Sequence, residues 1–168
     1  ENPLQDLAYL REKINGVIEE VRRFSYDLRP GVLDYLGLTA ALETLADDLS
    51  QKGINARLKV SGKEKLLSAD MEITIFRITQ EALNNITKYS LARNVEIHLS
   101  YRNNYVKLTI SDNGQGFKLP ERLSELAVQG KLGLIGIEER ARLHGGYFSI
   151  RSEPQKGTVI NIRLPFLN

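Results

Sequence analysis

The sequence predicts an α+β protein: a two-layer α/β sandwich preceded by an N-terminal bundle helix. Three observations carry this. Residues 4–28 place Leu7, Leu10, Ile14, Val17, Val21, Phe24 and Leu28 at alternating steps of three and four, a strict heptad seam. The stretch Thr74–Ser90 sets Ile75, Ile78, Ala82 and Ile86 on one helical face, with Phe76 and Leu83 beside them. Segments 95–101 and 106–110, then 147–152 and 158–164, alternate apolar and polar residues and pair through short turns. Antiparallel strands with helices banked on one face make such a sandwich.

The remaining elements follow in order. Pro30 disfavours helical geometry at Arg29, so the first helix stops there. Residues 31–37 read as a connector. A helix then runs from about Thr39, its N-cap, to Lys52, with Gly53 as its stop. Leu38, Leu42, Leu45, Ala46 and Leu49 form its buried stripe. Asn55–Val60 alternates and reads as a strand. Ser68 and Asp70 are the N-cap choices for the central helix. Asn103-Asn104 suits a two-residue hairpin, because Asn tolerates positive φ. Phe117–Gly133 has weak periodicity, with a helical turn at most around Leu123, Leu126 and Ala127, and reads as a lid. Gly133–His144 reads as a helix closed by Gly145-Gly146. The domain plan is therefore 1–30 for the bundle helix, 31–37 for the connector and 38–168 for the sandwich.

Composition limits the function. The 168 residues are 42% hydrophobic and 26% charged, as in a globular protein of one domain plus an appended element. A formal charge of +2 and the absence of a dense Lys/Arg block give no direct nucleic-acid partner. There is no cysteine, hence no disulfide and no thiolate metal site. No apolar run approaches the ~20 residues that span a bilayer. Glu1-Asn2-Pro3 is not a natural start, and a longer parent protein is expected.

Chemistry concentrates in four places. The polar face of the central helix carries Arg77, Glu81, Asn85 and Lys88 at steps of three or four. A carboxylate, an amide one turn on and an ammonium in the next turn suit a metal-bound phosphate chain, although alone they read more readily as a charged outer face. Asp112-Asn113-Gly114-Gln115-Gly116 follows a strand. Alone it is a turn, but glycines two apart let a planar ring approach the backbone, and the carboxylate can accept from an exocyclic amine. Gly130, Gly133 and Gly136 open a helix, whose free amides favour phosphate. Gly157-Thr158 opens the last strand.

Taken in order, these stretches resemble the ATP-binding domain shared by gyrase, Hsp90, MutL and sensor histidine kinases. ITQEALNNITKYS looks like its N-box, DNGQGF and GKLGLIGIEER like its two glycine boxes, and GTVINIRLP like its closing strand. The resemblance covers about residues 38–166. YDLRPGVLDYLGLTAALETL is similar to the junction in the NarX-like and DesK-like kinases. The helix 4–28 then looks like the second helix of their dimerisation and phosphotransfer hairpin.

The resemblance implies a Bergerat-type fold, ATP and Mg²⁺ as ligands, and transfer of the γ-phosphoryl group to a histidine. Glu81 is implied as the catalytic base or water-orienting carboxylate and Asn85 as the Mg²⁺ ligand. Asp112 is implied to hold the adenine amine, with Gly114 and Gly116 shaping the pocket and Thr158 supporting Asp112. Lys88 and Tyr89 are implied to meet the phosphates, and Gly133 and Gly136 to wrap them. Tyr89 departs from the histidine usual in that subfamily: it can donate a hydrogen bond but carries no positive charge. His98 is followed by Leu and His144 by Gly, so the acceptor histidine is expected on a helix outside this chain. A response regulator of LuxR type and a homodimer through the hairpin helices are implied as partners. The domain is expected in the cytoplasm, within a full-length protein compatible with a membrane anchor. A same-fold ATPase or serine kinase and a nucleotide-binding regulatory module are the alternatives.

Overall fold

The computed structural model describes residues 31–120, 125 and 132–166. The predicted heptad helix 4–28 and most of the predicted lid, with Leu123, Leu126, Ala127 and Gly130, lie outside the described residues.

Helix α1 spans Gly31–Gln51, β1 Asn55–Ser61, α2 Ala69–Asn85, β2 Asn94–Tyr101, β3 Tyr105–Asp112, α3 Leu132–Leu143, β4 Tyr147–Ser152 and β5 Thr158–Pro165. The five strands form one sheet in the order β1-β2-β3-β5-β4. β1 and β2 are parallel, and the other neighbours are antiparallel. The parallel pair corrects the expectation of antiparallel strands throughout. The cause is α2: a helix between two strands returns the chain to its starting edge, so the second strand runs the same way as the first.

One sheet face is apolar. Val95, Ile97 and Leu99 of β2, Val106, Leu108 and Ile110 of β3, and Ile160, Ile162 and Leu164 of β5 are all buried. The period-two pattern read from the sequence is thus the inward face of the sheet. α1, α2 and α3 cover it with Leu42, Leu45 and Leu49, with Ile75, Ile78 and Ala82, and with Ile137 and Ala141. The outer face is polar and carries bonds such as Lys59–Glu96 at 2.6 Å and Thr109–Asn161 at 3.0 Å.

Both glycine stops close their helices in the Schellman pattern. Ile54 N donates to Leu49 O and Gly53 N to Ser50 O. Gly146 N donates to Ala141 O and Gly145 N to Arg142 O. These are the six-to-one and five-to-two bonds that satisfy last-turn carbonyls. Ser68 caps α2, its Oγ accepting from Met71 N at 3.3 Å.

Three local expectations are corrected. Residues 31–36 of the short connector are helical, and the break falls at Gly37 (φ 78°, ψ 176°). Thr39 is not an N-cap: it lies inside the helix that resumes after Gly37, and its hydroxyl reaches Glu64 at 3.5 Å. The Asn103-Asn104 turn is present, closed by Arg102 N to Tyr105 O at 2.9 Å, but neither asparagine has positive φ. The central helix also changes pitch. It is α-helical to Asn85 and continues as one π-helical turn, Ile86–Ser90, ending with Leu91 in the left-handed region.

Tyr101, 5% exposed at the end of β2, gives the fold a pH dependence. Burial, then the charges of Glu64 and Glu72, push its hydroxyl up to about 12. The unfolded chain titrates near 10, so the folded state holds this proton more tightly. Its contribution is complete below about pH 10 and is lost as pH rises towards about 12. Denaturant midpoints should therefore fall between about pH 9 and about pH 11, and Tyr101→Phe should reduce that fall.

Candidate functional site

The end of α2, the π-turn, the loop after β3, the start of α3 and the start of β5 surround a cleft of about 390 Å³. Ala82, Ile86, Ile110 and Ile160 give it apolar walls, while Asn85, Lys88, Tyr89, Asp112 and Thr158 bring polar groups to it. A mostly apolar cleft with a few convergent polar groups is the usual form of a small-molecule site.

Asp112 is the last residue of β3, a central strand with neighbours on both sides. Its Oδ1 accepts from Ser90 Oγ at 2.8 Å and from Gly114 N at 2.8 Å. Both bonds fall on one oxygen, which orients the carboxylate and leaves Oδ2 unused by either. Nothing in the sequence pattern singles out Ser90, yet it is the residue that fixes Asp112. Its carbonyl accepts from Gln115 N at 2.7 Å, and its Oγ from Ala92 N at 3.1 Å. The one available signal is a hydroxyl residue at the very end of the central helix.

Gly114 lies under this junction, where an added Cβ would fall on the carbonyl and hydroxyl of Ser90. A side chain on Gly116 would fall on the Glu153 carbonyl. Thr158 lines the cleft and pairs with Asp112 across the β3–β5 ladder. Its hydroxyl bonds Ser152 Oγ at 3.0 Å, and Ser152 Oγ in turn receives Phe117 N at 2.9 Å. Thr158 therefore ties the loop after β3 to the β4–β5 turn, while the hydroxyl on Asp112 is Ser90's.

Glu81 and Asn85 sit one turn apart on α2, with Asn85 Nδ2 donating to Glu81 Oε1 at 3.3 Å. Gly133 at the start of α3 packs on this pair: a Cβ there would fall on Glu81 Oε1 and come within 2.8 Å of Asn85 Nδ2. The structure thus brings together the N-box-like and second glycine-rich stretches, far apart in sequence. Gly136 lies a turn further along α3, where a Cβ would meet the flexible Arg140 guanidinium at 2.9 Å, and it does not line the cleft. Lys88 is exposed and lines the cleft. Tyr89 is 59% exposed there, and its carbonyl accepts from Gln115 Nε2 at 2.6 Å.

Among the described residues no three His, Cys, Asp or Glu side chains gather as a metal cage. Asn85, on the cleft wall, carries an amide oxygen of the hard type that an Mg²⁺ ion prefers, and a cation held by it alone would need most of its oxygens from elsewhere. No described helix is long and apolar enough to cross a membrane.

The chain is similar to known proteins in sequence and in fold. Residues 70–168 match the family described as histidine kinase-, DNA gyrase B-, and HSP90-like ATPase. The chain is 37% identical over 156 residues to the sensor histidine kinase MctS of Rhizobium johnstonii, spanning 92% of this chain and 33% of that one. It is 34% identical over 163 residues to the signal transduction histidine-protein kinase/phosphatase DegS of Brevibacillus brevis, spanning 96% and 41%. The ATP binding domain of PrrB from Mycobacterium tuberculosis superposes with a TM-score of 0.55 at 25% identity, over 77% of this chain and 94% of that one. The chain spans less than half the length of these two curated relatives.

Two glycines with positive φ separate backbone strain from packing. Gly37 (φ 78°) has nothing within 4 Å of the position a Cβ would take, whereas Gly157 (φ 74°) would set its Cβ on the Asp112 carbonyl. Gly37→Ala should cost about 1–3 kcal/mol from conformation alone. Gly157→Ala should cost clearly more, because the clash adds to the strain. Denaturant midpoints compare them, and equal losses would mean that the β4–β5 turn yields freely.

Proposed function

The chain belongs to the histidine kinase-, DNA gyrase B- and HSP90-like ATPase family, and from that premise we propose that its cleft holds ATP with Mg²⁺ and serves histidine phosphorylation in a two-component sensor kinase. The observation that carries this reading is the carboxylate of Asp112, oriented by Ser90 and Gly114 beside an apolar slot. An ionised acceptor at the edge of such a slot selects an exocyclic amine. Adenine offers one where guanine offers a carbonyl oxygen, which the carboxylate repels.

At the other end of the cleft, Asn85 supplies an oxygen to Mg²⁺, which neutralises phosphate charge when bound. Lys88 adds a compact positive charge, and the Tyr89 hydroxyl donates a hydrogen bond. Gly133 keeps the start of α3 bare, where free backbone amides favour the phosphates, and Gly136 stands a turn beyond the cleft. Glu81 is the base. In the transfer, a bond forms from an imidazole nitrogen to the γ-phosphorus and the bond to the ADP oxygen breaks. The imidazole proton passes to the Glu81 carboxylate. Positioning and electrostatics supply most of the rate in such phosphoryl transfers.

The acceptor is a histidine of the full-length kinase outside this chain. His98 supports this indirectly: it lies on the outer sheet face, 2.8 Å from Ser61 Oγ. His144 is bonded to Thr74 Oγ1 at 2.7 Å, on α2's opposite end from the cleft. The relatives that the chain resembles are named as sensor kinases, which supports a response regulator as the downstream partner. We extend this to a LuxR-type regulator, a homodimer through hairpin helices, and a cytoplasmic position for this domain.

Asp112→Asn replaces a charged acceptor by an amide and should weaken ATP by about 10- to 100-fold, from ~1.5–3 kcal/mol. Calorimetry reads this directly, and equal affinity of the parent for GTP would sink the adenine assignment. Glu81→Gln should keep nucleotide and lose most transfer to a supplied histidine-bearing helix, while Asn85→Ala should lose the Mg²⁺-dependent part of binding. A Glu81→Gln variant that transfers at the parent's rate would remove the base role.

A further inference from the structure

We infer that Gln115 is a positioning residue that sets where Lys88 and Tyr89 meet the phosphate chain. The inference rests on the nucleotide reading above and deepens it. Gln115 lies in the loop after β3, and its three hydrogen bonds reach two other segments, the π-turn and the β4–β5 turn. Its backbone N donates to Ser90 O at 2.7 Å, and its carbonyl accepts from Gln155 N at 2.6 Å. Its side-chain Nε2 donates to Tyr89 O at 2.6 Å.

The need for these bonds arises at the end of the central helix. The chain leaves the π-turn at Leu91, which takes the left-handed conformation (φ 54°, ψ 24°) and is 82% exposed. The last carbonyls of the turn have no following helical amide to accept from. Gln115 supplies two donors from across the cleft. The backbone amide serves Ser90 whatever side chain stands at position 115. Only the side chain serves Tyr89. A substitution at Gln115 therefore removes one rung and leaves the other, together with the Ser90–Asp112 bond, in place.

Those rungs have different tasks. Ser90–Asp112 orients the carboxylate at the base end of the cleft. Gln115–Tyr89 holds the backbone between Lys88 and Ser90, the segment from which the cation and the phenol reach the cleft. Gln115 is itself exposed, so its hydrogen bond competes with water and adds little to global stability. Its effect is local: it selects one placement of a strained helix end. A donor of this length on a neutral side chain is needed. Methionine keeps the shape without the donor, and glutamate turns the donor into an acceptor facing a carbonyl.

The test compares ATP·Mg²⁺ with adenosine, which carries the base and no phosphate, by competition calorimetry on this chain. Gln115→Met should weaken ATP about 3- to 10-fold and Gln115→Glu more, with adenosine affinity and melting temperature held near the parent's. In a Lys88→Ala/Tyr89→Phe background, Gln115→Met should have no further effect on ATP, since nothing remains to be positioned. Equal weakening of ATP and adenosine would make Gln115 a loop-folding residue and overturn the inference, as would unchanged ATP affinity. A parent that binds ATP no more tightly than adenosine would overturn the phosphate reading itself, and that outcome is visible before any variant is made.

Discussion

The Asp112 carboxylate, held on one oxygen by Ser90 and Gly114, is the joint on which the cleft depends. It connects two pieces of chain distant in sequence: the end of the central helix, and the last residue of a central strand with the loop that follows it. An ionised acceptor is a strong hydrogen-bond partner, and leaving either donor unpaired near the apolar wall is costly. The bonds also constrain each other. Ser90 reaches Asp112 from the end of the π-turn, and the loop comes close to Ser90 because nothing but hydrogen stands on the Gly114 α-carbon. A side chain there would occupy the space of Ser90.

Close backbone approach recurs around the cleft, each time between segments distant in sequence. Gly116 packs on the Glu153 carbonyl, Gly157 on the Asp112 carbonyl, and Gly133 on the Glu81–Asn85 pair. The loop after β3 and the β4–β5 turn thus meet with backbone against backbone, and the start of α3 meets side chains of α2. Hydrogen bonds from Gln155 N to Gln115 O and from Phe117 N to Ser152 Oγ complete the joint. Glycines spread along the chain converge on one side of the sheet, and this is why their spacing in sequence is irregular while their placement in space is compact.

Much of this is legible in the sequence, for a physical reason. Periodicity reports burial, and every residue of the stripe Ile75, Ile78, Ala82 and Ile86 is buried. Strand alternation likewise marks the inward faces of β2, β3 and β5. Parallel pairing of β1 with β2 escapes it, because alternation reports which face a residue takes and says nothing about its neighbour's direction. The helical turn at 31–36 escapes it because Gly31 and Gly37 bracket the segment and suggest a loop. At the site, Glu81, Asn85, Lys88, Tyr89, Asp112, Gly116, Gly133 and Thr158 surround or flank the cleft. Gly136 stands apart. The roles of Ser90 and Gln115 lie in hydrogen bonds between segments, and no periodicity or spacing encodes those.

The central helix performs two tasks with its two faces, and that divides the site into parts of unequal rigidity. Its apolar stripe is buried in the core, where the helix packs between α1 and α3. Glu81, on the same α-helical stretch, inherits that rigidity. Lys88 and Tyr89 stand beyond the change of pitch, on a turn that ends in a left-handed leucine. A non-glycine residue in that conformation costs about 1–2 kcal/mol. Core packing holds this turn through Ile86 and Ser90, while Lys88 and Tyr89 are exposed. Hydrogen bonds from the loop after β3 hold the exposed part. The Asp112 end of the cleft is therefore built on a central strand, and the Lys88 end is built on a hydrogen-bonded turn. On the proposed nucleotide reading, that arrangement sets the less rigid end against the phosphates, whose charge and geometry change during transfer, and the more rigid end against the adenine.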